Sequence, residues 1–306
     1  MSVHGDKFKF HEFKQEHNFL NSENFTKIYD VFNDKKYIDS TGEEKCRKIK
    51  KGLSIPNDDE DLILHFCNNL YKIIAEYNTW NNEYFEQIYE DNKNYCVHLK
   101  YWLYEKTGNH DVRGFHISED FQKWKDKLEE ELNSNNKYPC KFNKLNWTER
   151  DKMRNIYAFV LIYYRNVKKF HQNKHIHCKY LDYIGKGIKQ YYDSFIKCSK
   201  KESQDNYCEE FIEFQKTFMG DNIYLSMSED YLDYKFKDSE TVNCPLEIKS
   251  LEYPLHLIYK EGKNIWHLSD QPIGSLNSSI ISTSSAIGTT VGISAFLLYL
   301  YKFDIT

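Results

Sequence analysis

The chain has 306 residues, with 42 Lys and Arg against 46 Asp and Glu and a formal net charge of -4, enough for one or two domains with a real core. A pI of about 6.3 excludes a nucleic-acid binder that relies on a global positive field, and 16% aromatic residues exclude the low-hydrophobicity profile of a disordered chain. Only five of the 42 basic residues are Arg and only four residues are Ala. That skew follows AT-rich coding and no packing requirement, so the abundant Lys and Asn are read as solvated background.

Residues 1–25 alternate charge with single aromatics, Phe8, Phe10, Phe13 and Phe19, and never build the apolar run of a signal peptide. Helical spacing begins after Asp58 or Asp59, a capping residue for the stripe Ile63, Phe66, Cys67, Leu70, Ile74 and Tyr77. Phe85, Ile88, Tyr89, Cys96, Leu99, Trp102 and Leu103 continue it. Ser118 precedes Phe121, Trp124, Leu128 and Leu132, and Thr148 with Asp151 resembles a capping box ahead of Met153, Ile156, Tyr157, Val160, Tyr164 and Val167. Two more helices follow, through Tyr180, Ile184, Ile188, Tyr191 and Phe195, then Cys208, Phe211, Ile212 and Phe218. Strand alternation is scarce. The expected fold class is all-α, a multi-helix bundle.

Pro245, Pro254, Gly262, Pro272 and Gly274 punctuate residues 243–279, which read as an irregular stalk. Residues 271–301 carry no charge, and 280–301 at 1.5 Å rise would span roughly 33 Å, close to a hydrocarbon core. A transmembrane helix is expected there, with Tyr299, Tyr301 and Lys302 as interfacial anchors. Ser284, Gly288 and Gly292 lie four apart and form a small-residue face suited to homo-association of that helix. The competing reading is a buried C-terminal core helix. The expected organisation is a helical ectodomain over 1–242, a stalk over 243–279, the span at 280–301 and a short tail at 302–306.

The eight cysteines, Cys46, Cys67, Cys96, Cys140, Cys178, Cys198, Cys208 and Cys244, include no CxxC pair. All lie upstream of the expected span and suit disulfides on an extracytosolic face. Spacing does not determine the pairing, although Cys198 and Cys208 suggest a staple across the polar residues between them; reduced core thiols are the alternative. His171, His175, His177 and Cys178 form the one cluster with metal-like spacing, and a polar helix junction explains it better, because no HExxH base is present. Gly185-Lys186-Gly187 lacks the spacing of a phosphate loop and reads as a helix interruption. Acidic pairs such as Glu129 with Glu130 and Glu209 with Glu210 are assigned to polar helix faces. No nucleophile with a placed base is found, so no enzyme, cofactor, metal or nucleic-acid partner is expected. Sequons at Asn24, Asn146 and Asn277 are frequent by chance in an Asn-rich chain.

The segment Asn94-Tyr95-Cys96-Val97-His98-Leu99-Lys100-Tyr101-Trp102-Leu103-Tyr104 resembles the Cys-x-x-Leu-x-Tyr-Trp-Leu-Tyr signature of the Plasmodium interspersed repeat (PIR) superfamily, which includes the Vir variant antigens. The motif residues are Cys96, Leu99, Tyr101, Trp102, Leu103 and Tyr104. The tail from Ser282 to Phe303 looks like the membrane segment of that superfamily, although members often continue into a cytoplasmic tail where this chain stops at Thr306. The segment 64–70 around Cys67, and Tyr207-Cys208-Glu209-Glu210-Phe211, also fit. The resemblance implies a non-catalytic, antigenically variable protein with a cysteine-containing helical region and one membrane helix. It would be associated with the infected red cell, at its surface or on internal membranes, and serve immune evasion or adhesion to a host receptor. The alternative is a structural or trafficking component of parasite-induced membranes, with its head in a reducing cytosol. Candidate contact loops are 33–54, 107–117, 133–146 and 199–206.

Overall fold

A computed structural model describes residues 8–52, 60–80, 83–86, 88, 92–108, 117–133, 137–172, 176–199, 205–218, 224–228, 244–251, 255–262 and 264–269. The fold is mostly helical, as expected, and adds one sheet. Two compact units are present, one formed by Met1–Arg154 with Gln204–Thr217 and the other by Asn155–Ser203 with Phe218–Thr306.

In the first unit the described helices are α1 (Phe10–Glu16), α2 (Asn24–Asn33), α3 (Ser40–Gly52), α4 (Glu60–Tyr77), α5 (Asn92–Gly108), α6 (Ile117–Glu131), the start of α7 (Trp147–Tyr157) and α10 (Asn206–Phe218, to Thr217). Helix α4 packs on α3, α5 and α6, and α2 packs on α5. The aromatics placed at single positions along the N-terminal region become its core. Phe10 meets Phe25 and Tyr29 edge-on at 4.8 and 4.9 Å, and Phe66 meets Phe121 at 4.6 Å and Phe142 at 5.1 Å. Each fully buried ring of this kind contributes roughly 1.5–3 kcal/mol. Gly42 lets α3 lie directly on α4, because a Cβ there would stand 2.5 Å from the Tyr71 ring.

Helix α4 also completes α2. Asn68 Nδ2 donates to the Lys35 and Lys36 carbonyls, Asn69 Nδ2 to that of Phe32, and Lys72 Nζ to those of Val31 and Asp34. The carbonyls at and just beyond the end of α2 thus find donors on a neighbouring helix. Three of the polar residues expected as solvated surface are therefore buried.

Several expectations for this unit change. The stretch 33–54 is not a loop: α3 occupies most of it and buries Gly42, Cys46 and Ile49 on one face. Residues 137–146 have no regular secondary structure, yet Tyr138, Cys140, Phe142 and Leu145 are buried while Lys137, Lys141 and Lys144 face outward. Helix α6 holds this strap through Glu129, which accepts from Tyr138 N, and Gln122, which accepts from Phe142 N. The capping box of α7 is Asn146 with Glu149, not Thr148 with Asp151: Asn146 Oδ1 accepts from Glu149 N and Glu149 Oε2 from Asn146 N. Phe85 and Ile88 lie ahead of α5 in a turn, and the Asp58 and Asp59 caps lie outside the described residues.

In the second unit the end of α7 passes into a π-helical turn, Ala158–Tyr163, then a 3-10 turn, Tyr164–Asn166, and α8 (Val167–Gln172). Every residue of the π-helical turn is buried, which leaves no polar face to define a helical stripe. Helix α9 (Cys178–Cys198) packs against that turn and against the sheet. The sheet is antiparallel in the order β1-β4-β3-β2, with β1 (Tyr224–Ser228), β2 (Leu246–Ser250), β3 (His256–Glu261) and β4 (Asn264–Ser269). Three of its strands occupy the region expected to be an irregular stalk. The missed signal is short alternation, in which Leu257 with Tyr259 and Trp266 with Leu268 are buried partners across β3 and β4. Gly262, at φ +61°, turns the chain between those strands.

Gly185-Lys186-Gly187 does not interrupt α9. A Cβ at Gly185 would stand 2.0 Å from the edge of the Tyr259 ring, and one at Gly187 would stand 2.5 Å from the Asn155 carbonyl oxygen and from Phe159 Cβ. The two glycines let α9 approach the sheet on one side and the π-helical turn on the other.

Candidate functional site

The residues of the Cys96 to Tyr104 motif sit on α5, a helix buried on nearly every side. Leu99, Tyr101, Trp102 and Leu103 are fully buried, and Cys96 and Tyr104 nearly so. The burial extends beyond the stripe Cys96, Leu99, Trp102 and Leu103 read from the sequence, to Val97, Lys100, Tyr101 and Glu105 on the other faces. Trp102 and Glu105 bond to neighbouring helices within the fold. Trp102 Nε1 donates to Asn33 Oδ1, and Glu105 accepts from Phe10 N at 2.8 Å and from the Tyr29 hydroxyl. Helix α5 thus docks α1 through Glu105 and α2 through Trp102 and Glu105, and the motif residues are not available as a contact surface.

Lys100 carries α10. Its ammonium lies 3.0 Å from both Glu210 oxygens and 3.0 Å from Glu213, while the Tyr104 hydroxyl donates to Glu210 Oε1 at 3.2 Å and Asn143 Nδ2 to Glu210 Oε2 at 3.0 Å. Burial alone would depress the Lys100 pKa; the two carboxylates outweigh it and hold the cation. Burial pushes the Glu213 carboxyl up, with Lys100 acting against that shift. Lys125 and Glu129 form a second buried pair at 3.0 Å. Glu129 and Glu210, assigned from sequence to polar faces, are therefore interior residues. Glu210 is set by Lys100 and Asn143 far along the chain, which leaves no local signal in the sequence, whereas Glu129 is held by Lys125 one turn away and by Tyr138 N.

All eight cysteines are oxidised. Cys46 pairs with Cys67, joining α3 to α4 at a Cα separation of 5.8 Å, and Cys96 pairs with Cys140, joining α5 to the strap at 5.5 Å. Cys178 pairs with Cys244, joining the first turn of α9 to the chain just before β2 at 4.9 Å. Cys198 and Cys208 are disulfide-bonded as well. These separations fall in the usual range for disulfides, and bridges closing loops of these lengths contribute about 3–4 kcal/mol each.

The described members of the histidine cluster flank a junction between two helices. Helix α8 ends at Gln172 and α9 begins at Cys178, so His171 and His177 do not share a helix; both are exposed, and His175 lies outside the described residues. Among the described residues no group of three or more His, Cys, Asp or Glu stands ready to hold a metal ion. Two histidines that the sequence reading passed over do meet, His256 on β3 and His267 on β4, with Nε2 and Nδ1 3.2 Å apart.

The surface available for contact carries exposed Trp80 and Trp147 and the outward lysines of the strap. Loop residues 109–116 and 200–204 lie outside the described residues, as do the expected span at 280–301 and Ser284, Gly288 and Gly292. Among the described residues no helix is long and apolar enough to cross a membrane. No known protein family, characterised protein or solved structure matches the chain.

Proposed function

We propose that the protein is a membrane-anchored, non-catalytic variant antigen of the PIR/Vir class, displayed at the infected red-cell surface and acting in immune evasion or adhesion to a host receptor. The observation that carries this reading is the complete oxidation of the cysteines, which suits a head on the extracytosolic side of a membrane. Two further features support it. The motif resembling the superfamily signature is committed to the interior, which leaves the outer surface free to vary at little cost in stability. The uncharged segment 271–301 supplies the anchor.

Flow cytometry of intact infected cells, with an antibody raised to residues 8–269, is the direct test. Staining without permeabilisation is expected. Staining only after permeabilisation refutes surface display and favours a structural or trafficking role on internal membranes. In the anchored state the full-length chain resists extraction by alkaline carbonate; release into the aqueous phase overturns the membrane assignment.

A further inference from the structure

From the contact between His256 and His267, we infer that the sheet of the second unit carries a two-histidine site for a borderline transition-metal cation, with copper(II) bound most tightly and zinc(II) more weakly. His256 stands opposite Ser269 and His267 opposite Ile258, so the two rings meet on the diagonal of β3 and β4. Their facing nitrogens, His256 Nε2 and His267 Nδ1, are 3.2 Å apart. Two nitrogens bound at 2.0–2.1 Å are separated by roughly 3.3 Å on a tetrahedral ion and roughly 2.9 Å at adjacent corners of a tetragonal one, values that bracket the observed 3.2 Å, so either ion fits between these rings after each tilts slightly. The shared hydrogen bond gives way, and any proton on a facing nitrogen moves to the far nitrogen of its own ring.

Three features of the surroundings favour ligation. Burial comes first in holding both imidazoles below the ordinary histidine range, His267 at about 4 with His256 and then Lys249 and Lys260 adding to the effect, and His256 with a further contribution from Lys249. Neutral rings are the form that binds a metal. The lysines are themselves held by Glu247, at 2.8 Å for Lys249 and 2.7 Å for Lys260, which offsets their charge beside the rings. All eight cysteines are oxidised, so no thiolate of this chain competes for a soft or borderline ion. No third protein ligand is in place among the described residues, so water completes the coordination and the affinity is modest.

The test uses the full oxidised chain freed of metal by a chelator and titrated separately with copper(II), zinc(II) and magnesium chlorides. Expected are one equivalent of copper, weaker binding of zinc and none of magnesium, with electron paramagnetic resonance of the copper form showing coupling to two imidazole nitrogens. His256→Gln and His267→Gln each abolish this saturable binding, and His171→Gln, at an exposed histidine, leaves it intact. Retention of the copper equivalent in either sheet variant overturns the proposal, as does absence of saturable binding to the wild type. If a sheet variant fails to fold, the wild type decides: copper protects both rings from diethyl pyrocarbonate, and unprotected rings overturn the site.

Discussion

Adding one methyl group at Gly187 would place a Cβ 2.5 Å from the Asn155 carbonyl oxygen and Phe159 Cβ, where backbone has little room to give. Gly187→Ala is expected to destabilise the protein by about 1–3 kcal/mol through overpacking. Gly262→Ala meets nothing within 4 Å, and its cost comes from the positive φ alone, about 1 kcal/mol. Urea unfolding of the two variants, disulfides intact, should order them in that way. Lys100 gives a second test at this scale. Lys100→Met leaves Glu210 buried without its cation and should cost about 3–5 kcal/mol, much of it restored when Glu210→Gln is added. His65 supplies the pH dependence. Burial against Trp102, with Lys72 and Lys35 adding to it, holds its pKa at about 4 instead of 6.5. The folded chain keeps this ring neutral while the unfolded chain takes up a proton below 6.5, so stability falls as pH drops from 6.5 toward 4. Thermal melts at about pH 7 and pH 5 should show that loss, and His65→Gln should reduce it.

At the scale of elements, the helices with one apolar face were legible in sequence. Most of the periodic residues of α4, α6 and α9 are buried, as are Cys208 and Phe211 of α10, because a stripe facing a core must repeat at three and four residues; Tyr77, Phe195 and Ile212 lie at its half-buried margin. Elements that violate this condition escaped. Helix α3 shows little apolar character, since its buried face is made of Gly42, Cys46 and Ile49, and strands of five or six residues offer only two or three alternations. The start of α7 was displaced by two residues because Asn caps as well as Thr does. Asn146→Ala should cost about 1 kcal/mol, and Thr148→Ala much less, as measured by thermal denaturation. For the bridges, replacing Cys46 and Cys67 together by Ser should lower stability by about 3 kcal/mol while leaving the far-ultraviolet helical signal intact.

At the scale of the whole molecule, composition misleads about the interior. Lys72, Lys100 and Lys125 and Asn68, Asn69 and Asn143 are buried in a chain whose Lys and Asn were read as solvated background. A chain with few Arg residues draws its interior polar groups from the same Lys and Asn that cover its surface, and composition does not separate the two. The cysteines were legible as bridge formers, but not as pairs, because pairing depends on which helices lie side by side. Non-reducing mass spectrometry after alkylation should find no free thiol in the native chain, and eight alkylated cysteines after denaturation and reduction.

The first two bridges also impose a timetable. Cys46 with Cys67 and Cys96 with Cys140 each join neighbours along the chain, so both links are able to close while the ribosome is still delivering the second unit. The cystine from Cys178 to Cys244 must wait for 66 further residues, past two other cysteines that offer it wrong partners. Oxidative maturation therefore runs from the amino end, and a chain stalled late is expected to carry two correct cystines and a scrambled remainder that disulfide isomerase has to sort.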